Sequence, residues 1–188
     1  QRDADGVSMR EAMRAAGLPA TLPAIAALQR DPARYLGFVE VHIEQGPVLN
    51  ELGLPLGVVT SINGGVRYQC EVSGMASHAG TTPMGRRRDA AVAVAELALY
   101  VEKRAASVPD VVGTIGMLQV PNGSMNVVPG RCLFSLDLRA TTNEARDALA
   151  RDVLAELAAI CERRGLHFTM DYPETKDDFL KDTILVKK

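Results

Sequence analysis

Residues 132–140 read CLFSLDLRA. Cys132, Phe134, Leu136 and Leu138 fall on one side of an extended chain, and Ser135, Asp137 and Arg139 on the other. Strict alternation of this kind marks a strand buried on one face and open on the other. Working outward, the segment TTNE (141–144) has capping-box spacing and opens a helix striped by Leu149, Val153, Leu157 and Ile160, which Gly165 ends. LHFTMDY (166–172) alternates again. On the N-terminal side, VRYQCEVS (66–73) sets Val66, Tyr68, Cys70 and Val72 against Arg67, Gln69, Glu71 and Ser73. A helix over RRRDAAVAVAELALYVEKRAA follows, then a strand over VVGTIGMLQV (111–120).

The order from 66 to 172 is β-α-β-β-α-β. Three half-apolar strands call for an antiparallel sheet with both helices on one face and the other face open. The expected fold is therefore α+β, a ferredoxin-like domain with a four-stranded antiparallel sheet. Upstream the texture differs. VSMREAMRAAG, TLPAIAALQRD and PVLNELG read as short helices. YLGFVEVHI (35–43) and LGVVTSI (56–62) read as strands of the kind buried on both faces of an α/β sheet. Two such strands cannot make a covered sheet. Residues 1–63 are thus expected to be part of an α/β domain, with Val39, Val41, Val58 and Val59 exposed or rearranged. The expected divisions are 1–63, a 64–172 domain, and a 173–188 tail of unclear origin. The chain begins QRDADG, as if cut from something longer.

The 188 residues are 47% hydrophobic, enough for a core, but only 4% aromatic, so that core must be mostly Ala, Val and Leu. The formal net charge of −2 gives no field favouring nucleic acid or anionic membranes. The longest apolar run, AAVAVAELALYV, is too short for a bilayer and contains Glu96. Cys70, Cys132 and Cys161 lack metal spacing and read as buried reduced thiols of a cytoplasmic protein.

Three places carry chemistry. His42 ends an apolar strand before Gly46-Pro47. That position can suit a zinc ligand, but position and composition alone favour a strand-end imidazole satisfied by a backbone carbonyl. His78 sits on the small-residue turn SGMASHAGTTPM, open either to a substrate oxygen or to water. Asn126, in the loop PNGSMNVVPG, and Arg139, ending the next strand, suit recognition of a carboxylate. A loop-stabilising Asn and a surface Arg beside Asp137 would read the same way. Arg86-Arg87-Arg88, followed by Asp89, reads as a solvated face rather than a phosphate site.

Four strings, HIEQGPVLNELGLPLGVV, GMASHAGTTPMGRRRDA, NVVPG and FSLDLRA, carry a resemblance over residues 1 to about 170. In order and spacing they resemble the zinc-dependent N-carbamoyl-L-amino-acid hydrolases. The β-ureidopropionases and allantoate amidohydrolases are that family's near relatives within the aminoacylase- and carboxypeptidase-like dinuclear zinc superfamily. The resemblance implies that His42 is a zinc ligand, with Gln45 in the same substrate-side turn. It implies that His78, Asn126 and Arg139 bind substrate from a lid domain that also dimerises, the histidine reaching the partner's active site. It implies two Zn2+ per active site, with Mn2+, Co2+ or Ni2+ as substitutes, and attack by metal-activated water. The family's remaining metal ligands and its general base have no counterpart in these residues. The chain alone is therefore expected to hold no catalytic residue and to be inactive. The alternative of another class is a non-catalytic dimerisation or interaction module.

Overall fold

The computed structural model describes residues 2–171; Tyr172 and the 173–188 tail lie outside the described residues. The chain divides into two units, Gln1–Gly57 and Val58–Lys188.

In the first unit, local hydrogen bonds make the helices. Helix α1 (Met9–Ala15) carries a capping box: the Glu11 N–H donates to Ser8 Oγ at 3.3 Å, and the Ser8 N–H donates to Glu11 Oε2 at 2.7 Å. Helix α2 (Leu22–Ala26) starts on Thr21, whose hydroxyl accepts from the Ala24 N–H. Helix α3 (Val48–Glu51) is capped from upstream, the Val48 and Leu49 N–H groups donating to the Glu44 carboxylate. None of the three helices contains a buried residue. The strands expected over 35–43 and 56–62 do not form. Val39, Val41 and Val58 are 91%, 90% and 90% exposed, as the sequence anticipated for strands without neighbours. Ladder hydrogen bonds and cross-strand pairs make a strand, and neither stretch has a ladder partner among the described residues.

The second unit is the α+β domain. Its elements are β1 (Gly64–Ser73), β2 (Ser77–His78), α4 (Ala90–Ala106), β3 (Val111–Thr114), β4 (Leu118–Gln119), β5 (Val127–Val128), β6 (Arg131–Ala140), α5 (Asn143–Arg164) and β7 (His167–Asp171). The main sheet runs β3–β6–β1–β7, antiparallel throughout, with β4 also on β6. This is the ferredoxin-like order: last strand, first, third, second. The segment 111–120, read as one strand, is broken by a bulge. The five residues from Thr114 to Leu118 face the four from Asp137 to Phe134. There Ser135 holds the inserted residue, donating its N–H to the Met117 carbonyl and accepting the Met117 N–H on Oγ, both at 3.0 Å.

The alternation places Tyr68, Cys70 and Val72 of β1 and Cys132, Phe134, Leu136 and Leu138 of β6 in the core. Helix α4 meets them with Ala93, Val94, Leu97 and Val101, and α5 with Leu149, Val153, Leu157 and Ile160. The polar sides of β1 and β6 stay open. The cap of α5 is Thr142, one residue later than the capping-box spacing suggested; its Oγ1 accepts from the Ala145 N–H. All three cysteines are buried. Among the described residues no helix is long and apolar enough to cross a membrane.

Candidate functional site

Beyond the end of β1 the chain passes very close to the start of β6. The Gly74 N–H donates to the Gly130 carbonyl at 2.8 Å. A Cβ on Gly74 would lie 2.1 Å from the Arg88 carbonyl oxygen, and one on Gly130 would lie 2.6 Å from the Ala76 nitrogen. Both motif glycines are therefore set by backbone approach. From this crossing β2 and β5 rise as a two-stranded ribbon, with His78 opposite Val127 and Val128 buried beneath.

The ribbon brings together two of the expected residues. The Ala79 N–H donates to the Asn126 carbonyl at 2.9 Å. His78 is exposed, and its Nδ1 accepts the Gly80 N–H at 3.1 Å. A nitrogen that accepts carries no proton, so the neutral ring holds its proton on Nε2. Asn126 is oriented likewise: Ser124 Oγ donates to its Oδ1 at 2.8 Å, which leaves its NH2 group to donate. The turn therefore presents two neutral donors, suited to a carbonyl oxygen or a developing oxyanion.

Arg139 lies elsewhere. Ser73 pairs with Arg131 at one end of the β1–β6 ladder and Gly65 with Arg139 at the other, eight residues along β6. At roughly 3.3 Å per residue that is ~26 Å of strand. Arg139 forms a bidentate pair with Asp137 through Nε and Nη2, at 2.7 and 2.6 Å, and Arg67 Nε reaches the same carboxylate at 3.1 Å. Arg139 and then Arg67 hold the Asp137 carboxyl down at about 2. These groups line an open concavity of about 730 Å3, with Asn63, Gln69, Thr114 and Ser135 around them. At the far end of the same face Arg131 pairs with Glu71 and lowers its carboxyl as well. Neither carboxylate is poised as a general base near neutral pH.

The first unit holds the other two. His42 is exposed, with Nδ1 2.5 Å from the Ile43 carbonyl oxygen. Gln45 stands in the left-handed region at φ 57°. Among the described residues no group of three or more His, Cys, Asp or Glu side chains is placed to hold a metal ion. As a donor set these residues do not fit a catalytic zinc.

One residue was misread. Arg87 is not part of a solvated face: it is half-buried and donates to the Thr82 and Ala79 carbonyls, at 3.1 and 2.6 Å. Nothing in the RRR string separates it from Arg86 and Arg88, which are exposed.

Residues 60–165 match the model of the peptidase dimerisation domain family. The chain is 42% identical over 171 residues to an N-carbamoyl-L-amino acid amidohydrolase of Geobacillus stearothermophilus, covering 90% of this chain and 41% of that protein. It is 33% identical over 199 residues to an allantoate deiminase of Arabidopsis thaliana, covering 96% of this chain and 38% of that protein. Among solved structures, a hydantoinase/carbamoylase family amidase from Burkholderia ambifaria superposes with a TM-score of 0.73 at 35% identity, covering 90% of this chain and 40% of that one. The chain thus spans about two fifths of the length of the curated relatives it matches. On the match over residues 60–165, the chain belongs to the peptidase dimerisation domain family.

Proposed function

We propose that this chain is the lid and part of the catalytic domain of an amidohydrolase that cleaves the carbamoyl C–N bond of N-carbamoyl-L-amino acids in the cytoplasm. Residues 64–172 form the lid and residues 1–63 the catalytic portion. The observation that carries this reading is the pair of neutral donors on one turn, His78 Nε2–H and the Asn126 amide, in a chain 42% identical to an amidohydrolase of that class. In the proposed site both donors polarise the carbamoyl oxygen and stabilise the charge that develops on it. Arg139 holds the substrate carboxylate through the nitrogens that Asp137 leaves available. In the whole enzyme His42 would be one ligand of zinc, or of Mn2+, Co2+ or Ni2+ in its place, and Gln45 would line the same turn. The described residues supply neither the other ligands nor a base, so no chemical step is assigned to them, and these 188 residues alone are expected to hydrolyse nothing.

The ribbon that carries His78 leaves the sheet beside Arg131, and from there to Arg139 runs ~26 Å of β6, longer than one small substrate. A site using both takes them from two chains. This supports a homodimer in which each active site combines Arg139 of one protomer with His78 and Asn126 of the other. The β3/β4 edge, with exposed Val112, Met117 and Leu118, offers a surface for such pairing.

The test is complementation in the whole enzyme. His78→Ala and Arg139→Ala should each lower turnover by about 10²–10³-fold. Co-expressed, they should form mixed dimers with one intact site and recover about a quarter of wild-type activity. No recovery from dimers shown to be mixed overturns the shared site. A panel of N-carbamoyl amino acids, β-ureidopropionate and allantoate decides the substrate; the 33% identity to an allantoate deiminase makes allantoate the second reading. Inertness toward the whole panel favours a non-catalytic dimerisation module.

A further inference from the structure

The side chain of Arg87 meets the His78 turn through one peptide plane. The Ala79 carbonyl and the Gly80 N–H belong to the same peptide unit. Arg87 Nη2 donates to that carbonyl at 2.6 Å, while that N–H donates to His78 Nδ1 at 3.1 Å. A trans peptide points its C=O and N–H in opposite directions, so fixing the oxygen fixes the direction of the hydrogen. A cation on the oxygen also polarises the amide and strengthens the N–H as a donor. Arg87 Nε reaches the Thr82 carbonyl at 3.1 Å, and the Thr82 N–H in turn donates to the His78 carbonyl at 3.0 Å. Both ends of the turn are thus tied to one guanidinium, which makes no ion pair among the described residues.

We propose that Arg87 is a positioning residue for His78: it orients the Ala79–Gly80 peptide so that Gly80 occupies Nδ1 and the ring presents Nε2–H outward. This deepens the proposed role of His78 and rests on it for its effect on turnover. Its effect on the ring is independent of that role. Without the cation the peptide is free to turn, Nδ1 loses its donor, and the proton redistributes between the two nitrogens.

Two measurements test this. The first is the long-range proton–nitrogen spectrum of the imidazoles in this chain, where only three histidines contribute. Wild type should show His78 with a bare Nδ1. Arg87→Met should show a mixture of tautomers, and Arg87→Lys, which keeps a donor on a similar stem, should restore part of the wild-type pattern. An unchanged ring in both variants overturns the proposal.

The second is a double-mutant cycle in the whole enzyme. Arg87→Met should lower kcat by about 10–100-fold with KM within about twofold, as for partners that orient a functional group. In a His78→Ala background the same change should lower kcat by less than about twofold. An equal loss in both backgrounds means that Arg87 only braces the loop, and overturns the proposal. If His78→Ala leaves turnover intact, the reading of His78 fails, while the spectrum still decides whether Arg87 sets the ring. Should Arg87→Met fail to fold, Arg87→Lys run through both measurements gives the same decisions.

Discussion

The two units of this chain are built by different forces. Residues 2–57 form three short helices, each started by a side chain within five residues of the N–H groups it caps, and none of the three buries a residue. Residues 64–171 bury Phe134, Leu136, Leu138, Leu97, Leu149 and Leu157 almost completely between one sheet face and two helices. Local hydrogen bonds suffice to place a helical turn. A strand needs a neighbour, and the length of chain alone does not supply one. VRYQCEVS became a strand because β6 and β7 flank it. FVEVHI, as rich in strand-forming residues, forms none without a flanking ladder.

The sharpest way to break that contrast is to truncate one apolar side chain in each unit, Phe134 in the second and Val39 in the first. Phe134→Ala, at a position with no exposure, should cost about 3–5 kcal/mol, because transfer and cavity terms add. Val39→Ala, at 91% exposure, should stay within about 0.5 kcal/mol. Urea unfolding followed by circular dichroism measures both. A large loss from Val39→Ala would show that a first-unit valine packs although it stands exposed.

Next in size is Gly74→Ala. The added methyl meets the Arg88 carbonyl and Leu166, neither the loose end of a flexible polar chain, and should cost about 1–3 kcal/mol. Gly37→Ala, with nothing within 4 Å of its Cβ position, should leave the midpoint unchanged. Smaller again are the caps. Thr142→Ala should cost about 1 kcal/mol because α5 is docked in the core and its first turn is part of cooperative unfolding. Ser8→Ala should fray α1, seen as a loss of helical signal, without moving the unfolding midpoint of the sheet unit.

What the sequence made legible follows the same division. Alternation over CLFSLDLRA and VRYQCEVS fixed the sheet faces, since side-chain direction in a strand depends only on parity. The helix stripes were legible because their partners lie on the facing strands of the same compact unit. The bulge between Thr114 and Leu118 was not, because it depends on Ser135 Oγ closing on Met117 across the ladder. The strands over 35–43 and 56–62 were misread because periodicity reports what a strand would bury and not whether a neighbour exists. At the site, HAG and NVVPG could be singled out, but their meeting through the Ala79–Asn126 bond is a product of strand crossing. Arg87 was invisible because its role lies in folding back on two carbonyls, which one-dimensional charge patterning does not encode.

The smallest effect compares two carboxylates, one in each unit. Asp137 is held at about 2, below its ordinary 3.8, by hydrogen bonds from Arg139 and then Arg67. Glu11 is also lowered, chiefly by the Ser8 hydroxyl and backbone. For an acid whose folded value is depressed, the stability it contributes is complete above the unfolded value and disappears as pH falls through the folded one. For Asp137 that window runs from about pH 4 down to about pH 2. Asp137→Asn should therefore destabilise the sheet unit by less than about 1 kcal/mol at neutral pH, as for ion pairs open to solvent, and by nothing below about pH 2. The difference should shrink in high salt, because the pair is only partly shielded from solvent. Glu11→Gln should leave the sheet unit's pH dependence untouched and alter only the acid-side loss of helical signal from α1. If Asp137→Asn instead leaves stability against acid unchanged across the whole window, the ion pair on the open face adds nothing to the fold. Arg139 would then be held beside Asp137 for binding alone.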